Sequence, residues 1–283
     1  MKQSRTVHNL FSTEALKPAP AEQPFWYTSG KFGPYYINTH FLFGDEASAK
    51  AMLADITHEV ESPATLAEKI GSAMVTHERE NAIFRAVIDD LAKLADTLSF
   101  DLISGGERRD FFFSYPLAAR LNVNHLTILK NGEMWLGKTG EPSRPVTSGE
   151  LEGKTVLHVA DLVTEASSYA RAWLPAIAEA GAEIHDTLSV VDRNQGGKDV
   201  LAEHGVTLHS VVTIDDAFFR WAEDEGLINA GQAEQIRRFT DDPDQYIRRF
   251  LSDHPGFLAD EAAKDERTRE RVERCRALGF GDV

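Results

Sequence analysis

VLHVADLVTEASSYARAWLPAIAEAGAEIHDTLSVVDRNQGGKDVLAEHGVTLHSVVT (156–213) decides the fold of this 283-residue chain. Three apolar runs rich in Val, Ile and Leu, at 155–161, 184–192 and 206–214, read as buried strands. Between them, SSYARAWLPAIAEAG (167–181) and GGKDVLAEHG (196–205) read as helices closed by Gly181 and Gly205. Toward the N-terminus the alternation continues. FDLIS (100–104) is a strand, FFFSYPLAARL (111–121) a helix and HLTILK (125–130) a strand. Strands alternating with helices over short connections predict an α/β domain, a parallel sheet with helices on both faces. Such sheets bind ligands beyond the carboxyl ends of their strands, at a topological switch point. The loops 104–110, 161–168 and 192–197 are therefore the candidate site.

The flanks read differently. Residues 131–149 carry four glycines and two prolines and suggest a long mobile loop or irregular hairpin. Residues 45–98 read as one helix before Pro63 and one after, the second with an apolar face of Ile83, Val87, Leu91, Leu94 and Leu98. The first 24 residues read as a polar lead-in, and FWYTSGKFGPYYIN (25–38) as an aromatic, turn-rich segment. The tail reads as helices whose arginines, from Arg267 to Arg276, form a solvated face. Three regions follow: 1–98, a core over 99–215, and a helical extension over 216–283.

Composition narrows the function. A formal net charge of −15 argues against nucleic acid or an anionic membrane as the main partner. One cysteine, Cys275, leaves no internal disulfide and suits a reducing compartment. The first 20 residues lack the apolar run of a signal peptide, and no stretch approaches the ~18 apolar residues that span a bilayer. A cytoplasmic protein is expected.

Each loop carries plausible chemistry. DLVTEASS (161–168) follows a strand and opens a helix, where free N–H groups and the positive dipole end suit a phosphate. Thr164, Ser167 and Ser168 add hydroxyls, and Asp161 can accept hydrogen bonds from a sugar diol. Ser167 as a plain helix cap and Asp161 as a turn residue explain the loop equally well. SGGERRD (104–110) offers two glycines for close backbone approach and the cations Arg108 and Arg109. A tight turn with surface arginines is its plainer reading. In VVDRNQGG (190–197), Asp192 can orient Arg193 so that its guanidinium forks onto a carboxylate. An exposed ion pair of small worth is the alternative.

All three loops occur in one order, and with that order the stretch 156–213 resembles the second half of orotate phosphoribosyltransferase, of the type I phosphoribosyltransferase fold. SGKFGPYYIN (29–38) is similar to that family's base-binding segment, and the likeness spans roughly 24–38 and 100–215. The resemblance implies transfer of phosphoribose from phosphoribosyl diphosphate to orotate, with Mg²⁺, by a homodimer. Carried over, Lys31 falls in the base-binding segment. Ser104, Gly105, Gly106 and Glu107, with Arg108 and Arg109, fall at the pyrophosphate loop. Asp161 matches the second of two acids that bind the ribose hydroxyls. Thr164, Glu165, Ala166, Ser167 and Ser168 match the 5′-phosphate loop, with Thr164 also near the base. Arg193 matches the arginine for the orotate carboxylate. In KNGEMWLGK (130–138), Lys130 or Lys138 is the lysine that would close over the site; Lys130 is taken as catalytic. No metal ligand is assigned.

The departures bear on activity. Ala160 stands where the family has its first acid. Glu165 and Ala166 stand where it has Thr-Gly or Ala-Gly, and the catalytic-loop histidine is missing. A glutamate ~4 Å from phosphate costs about 4 kcal/mol at an effective dielectric of 20, about three orders of magnitude in affinity. A catalytically impaired relative that binds a nucleotide or small ligand as a regulator is the rival reading. Arg193→Lys keeps the charge and loses the bidentate fork, so it is expected to weaken binding of carboxylate-bearing pyrimidines. Equal calorimetric affinity of the two proteins for orotate would reduce Arg193 to a surface residue.

Overall fold

The computed structural model describes residues 5–20 and 22–281. The first four residues of the expected polar lead-in lie outside that range. The chain divides into two compact units: Met1–Ala15 with Asn38–Asp215, and Leu16–Ile37 with Asp216–Val283. The break at residue 98 expected from sequence does not coincide with this division.

A seven-stranded sheet forms the middle of the first unit. Its strands lie in the order 207–213, 186–192, 156–163, 102–106, 124–128, 134–137 and 144–145. The first five are mutually parallel, and the last two add an antiparallel hairpin at the edge. The chain leaves the 102–106 strand for one side of the sheet and returns to the 156–163 strand on the other. The direction of winding therefore reverses between these two neighbours, which pair from Leu102–Val156 to Ser104–His158. The 102–106 strand is buried throughout, and 156–163 nearly so, as expected for strands covered on both faces.

Helix Phe111–Leu121 lies beside them with Phe111 through Ala118 all buried. A helix apolar on every side is a core helix. Two glycines let it and its neighbours approach. A Cβ on Gly105 would lie 2.2 Å from Ser114 Oγ, and one on Gly106 would lie 2.3 Å from the Trp173 ring. Both glycines lie inside the strand, and their missing side chains leave room for Ser114 and Trp173.

The N-terminal helices differ from the sequence reading in detail. Arg5–Ser12 is a helix with Thr6, Val7 and Leu10 buried, not a polar lead-in. The run after Pro63 breaks at Asn81, whose side chain accepts the N–H groups of Ile83 and Phe84 and starts a new helix, Ala82–Ala95. That helix buries Phe84, Val87, Ile88, Leu91 and Ala95, a face rotated from the one expected. The 131–149 segment is an anchored hairpin. Gly140 N–H donates to Ala67 O at 3.0 Å and Ser143 N–H to Ala64 O at 2.7 Å.

The second unit is built from two distant stretches. Strand pairs 16–18/35–37 and 25–26/32–33 pack with helices Asp216–Asp224, Ala230–Asp241, Pro243–Asp253, Phe257–Ala262 and Glu266–Ala277. Aromatics fill it. Trp26 stacks on Phe257 at 5.9 Å, Phe32 meets Phe250 at 5.3 Å, and Tyr35 meets Phe219 at 5.3 Å. Trp26, Phe32 and Tyr35 are thus consumed in an internal core and are not a free face. In the last helix Thr268, Val272 and Cys275 point inward, and Arg267, Arg269, Arg274 and Arg276 are exposed, the solvated face expected.

Gly106→Ala must displace the Trp173 ring, an overpacking cost of about 1–3 kcal/mol. We expect a melting temperature lower by roughly 3–10 °C, partly recovered when Trp173→Phe makes room. An unchanged melting curve would show that the ring moves aside freely.

Candidate functional site

A cavity of about 320 Å³ opens above the carboxyl ends of the 102–106 and 156–163 strands, at the reversal in winding. Its walls are the turn 107–110, Lys130 and the segment 160–169, with Trp173 behind. The sequence-predicted Glu107, Arg108, Arg109, Lys130, Asp161, Thr164, Glu165, Ala166, Ser167 and Ser168 are all brought together there. Gly105 and Gly106 lie beneath it in the strand, and Gly106 N–H is already given to Asp110 Oδ2 at 3.1 Å. Ser104, deeper still, meets His158 Nδ1 at 2.8 Å.

The loop after the 156–163 strand is shaped to bind an anion. Ala166 takes a left-handed conformation, φ 52°, at the position where the resembled family has glycine. Ala166 C=O accepts the N–H groups of Tyr169 and Ala170, which starts the helical run through Glu179. The backbone N–H groups of residues 165–168 donate to no acceptor among the described residues. Successive free amides at a left-handed bend form a concave anion cradle. The 193–197 turn braces this loop from behind. Arg193 N–H donates to Val163 O at 2.9 Å and Gly197 N–H to Thr164 O at 3.0 Å. Only glycine fits at 197, since a Cβ would lie 2.6 Å from Thr164 O.

The charged groups divide by partner. Glu107 takes Lys130 N–H at 3.1 Å, with Lys130 Nζ 3.5 Å from its other oxygen, so this lysine is tied to the 107–110 turn. Arg108 donates to Thr57 Oγ1 at 2.5 Å. Glu165 is exposed at the rim. Arg193 is half-buried and follows the 186–192 strand, and Asp192 accepts the Asn194 N–H at 2.8 Å. Lys138 reaches Asn122 at 3.4 Å. Lys31 belongs to the second unit, where it pairs with Asp244 at 2.7 Å.

Two neighbours of Asp161, Thr39 and Asp110, and His40, which follows Thr39 in the chain, were not singled out by sequence. Thr39 Oγ1 donates to Asp161 Oδ2 at 2.5 Å, and Asp161 N–H donates to Asp110 Oδ1 at 2.9 Å. Burial first, and then the Asp110 carboxylate, raise the Asp161 carboxyl to about 7, with Thr39 and Arg109 opposing. His40 is buried against Phe41 and Phe112, and burial together with the Arg109, Lys50 and Arg108 charges lowers it to about 4. It is neutral near pH 7. A single signal pointed toward Thr39 and His40: they directly follow the 29–38 segment.

Comparison with known proteins agrees with this geometry. No family model matches the chain. Over 68 residues it is 44% identical to the orotate phosphoribosyltransferase of Methanopyrus kandleri, a match covering 24% of this chain and 37% of that one. The chain thus spans little more than a third of that relative's length. UMP synthase from Leishmania donovani superposes with TM-score 0.57 at 18% identity, over 84% of this chain and 42% of that one. Orotate phosphoribosyltransferase from Francisella tularensis superposes with TM-score 0.54 at 12% identity, over 84% of this chain and 98% of that one. The fold is that of the type I phosphoribosyltransferases, and the sequence resemblance to the orotate enzymes stands.

Asp161 also makes stability depend on pH. Its carboxyl is raised in the folded chain from 3.8 to about 7, so between these values the folded state holds the extra proton. Stability contributed by that proton is full below pH ~4 and lost as pH rises through ~7. Asp161→Asn removes the dependence. The whole shift corresponds to about 4 kcal/mol, and partial exposure reduces this to roughly 1–2 kcal/mol. We expect the variant to be the more stable protein at pH 8 and the difference to vanish near pH 4, read by urea denaturation. A constant difference across that range would place the Asp161 carboxyl at its ordinary value.

Proposed function

We propose that this chain is an orotate-type phosphoribosyltransferase. It would hold phosphoribosyl diphosphate in the 107–110/160–169 cleft and transfer phosphoribose to a carboxylate-bearing pyrimidine such as orotate. The observation that carries this reading is the row of free amides at 165–168, one loop beyond a carboxylate. The amides suit the 5′-phosphate, and Asp161, four residues earlier, suits the ribose hydroxyls of the same molecule. The opposite wall offers Arg108, Arg109 and Lys130 to the diphosphate.

In the reaction, a ring nitrogen of the base bonds to C1′ as the C1′–O bond to diphosphate breaks. The chain's contribution is positional and electrostatic. Asp161 orients the ribose and favours positive charge developing on it. The arginines stabilise charge gathering on the departing diphosphate. Arg193 keeps the base-binding role that the resemblance assigns to it.

Among the described residues, no group of three or more His, Cys, Asp or Glu side chains can hold a metal. Magnesium is therefore proposed as a companion of the diphosphate, held by ligand oxygens and water, as that ion commonly is in phosphate sites. No step is derived through it. We also propose a homodimer in the cytoplasm. Trp26, Phe32 and Tyr35, which pack internally, are not proposed for its interface. Among the described residues no helix is long and apolar enough to cross a membrane, and Cys275, the single cysteine, is buried.

Calorimetric titration with magnesium phosphoribosyl diphosphate tests the proposal, with orotate consumption as its second readout. Glu165→Gly with Ala166→Gly removes the rim charge and relieves the left-handed alanine. The double variant is expected to bind about tenfold more tightly, about 1.4 kcal/mol. Absent binding by both proteins would overturn the enzymatic reading.

A further inference from the structure

We propose that Asp110 is a positioning residue for Asp161 and supplies, from the neighbouring turn, the acidic partner that Ala160 does not. Its place in catalysis rests on the function proposed above; the geometry stands without it.

Three observations carry the proposal. First, the Asp110 side chain is buried and each carboxylate oxygen takes a backbone N–H: Oδ1 that of Asp161 at 2.9 Å, Oδ2 that of Gly106 at 3.1 Å. One side chain thus fastens the ends of the two strands between which the winding reverses. Second, His158 is fully buried with Nε2 3.6 Å from Asp110 Oδ2, beyond a hydrogen bond, and that nitrogen has no hydrogen-bond partner among the described residues. Its other nitrogen meets Ser104 Oγ at 2.8 Å. A polar row therefore runs from Thr39 through Asp161 and Asp110 toward His158 and Ser104. Third, Ala160 is buried and offers only a methyl group, so the second carboxylate beside Asp161 is that of Asp110.

The Asp110 carboxylate, second to burial, opposes ionisation of Asp161, because ionising it places like charges together. The other groups facing Asp161 are Thr39, which donates to it, and Arg109, whose charge favours its ionised form. Tyr169 also lies near, its hydroxyl bonded to Thr187 at 2.7 Å and its ionisation disfavoured by burial first and then by both acids. Asp110 therefore does two things. It fixes the backbone that aims Asp161 at the cleft, and its charge helps burial to raise the Asp161 carboxyl. A pure backbone tie would do only the first.

The test reads the carboxyls directly, by ¹³C NMR of aspartate-labelled, ligand-free protein across pH 4–9. In the parent, Asp161 is expected to titrate near 7. In Asp110→Asn its midpoint is displaced downward by at least one pH unit. An Asp161 carboxyl already ionised at pH 5 in the parent overturns the proposal, and so does an unmoved midpoint in the variant. The parent titration decides alone should the variant not fold. The pH profile of phosphoribosyl diphosphate binding then separates the two readings. A carboxyl that shifts as expected in a protein that binds no ligand at any pH keeps the positioning role and removes the function. Binding whose acid limb moves with the carboxyl keeps both.

Discussion

The parallel pairing of the 102–106 and 156–163 strands is the constraint on which the rest of the first unit depends. Parallel neighbours point their carboxyl ends the same way, so the turns that leave them must emerge side by side. Winding reverses between these two strands, and no crossover helix roofs the gap. The cavity follows from that topology before any side chain is considered. Burial of the 102–106 strand and most of the 156–163 strand keeps water from most of their ladder partners.

On this frame the chemistry is distributed unevenly. The 160–169 side combines free amides with the carboxylates of Asp161 and Glu165, and the 107–110 side carries two arginines beside two acids. Glu107 and Lys130 neutralise each other, and Arg109 exerts its charge on His40 and Asp161. The cleft therefore stays close to neutral in a chain of net charge −15. An anion entering it meets local donors, not the field of the whole surface.

Much of this was legible in the sequence. The strand–helix alternation over 100–213 carries its own signal, because buried parallel strands are apolar runs and helices stop at glycine. The loops were found for the same reason. What escaped depends on three-dimensional neighbours. Gly105 and Gly106 suggested a ligand-facing turn, but Ser114 and Trp173 occupy the space their missing side chains leave. Asp110 closes the turn in sequence and touches Asp161 only across strands, at a separation of 51 residues. The face of helix Ala82–Ala95 was misjudged because Asn81 resets where that helix begins. The helical extension from residue 216 was legible, but its union with residues 16–37 was not, because the two parts are far apart along the chain.

That discontinuity has a consequence for how the protein is made. Residues 16–37 belong with helices that begin at residue 216, and 178 residues, Asn38 to Asp215, come between. At a synthesis rate of ~5–20 residues per second, that interval is on the order of ten to thirty seconds. Throughout it Trp26, Phe32 and Tyr35 have emerged from the ribosome, and the rings they will pack against have not been made. The nascent chain thus carries an aromatic segment open to chaperones and to other nascent chains. A messenger truncated near codon 215 would leave that segment uncovered for good.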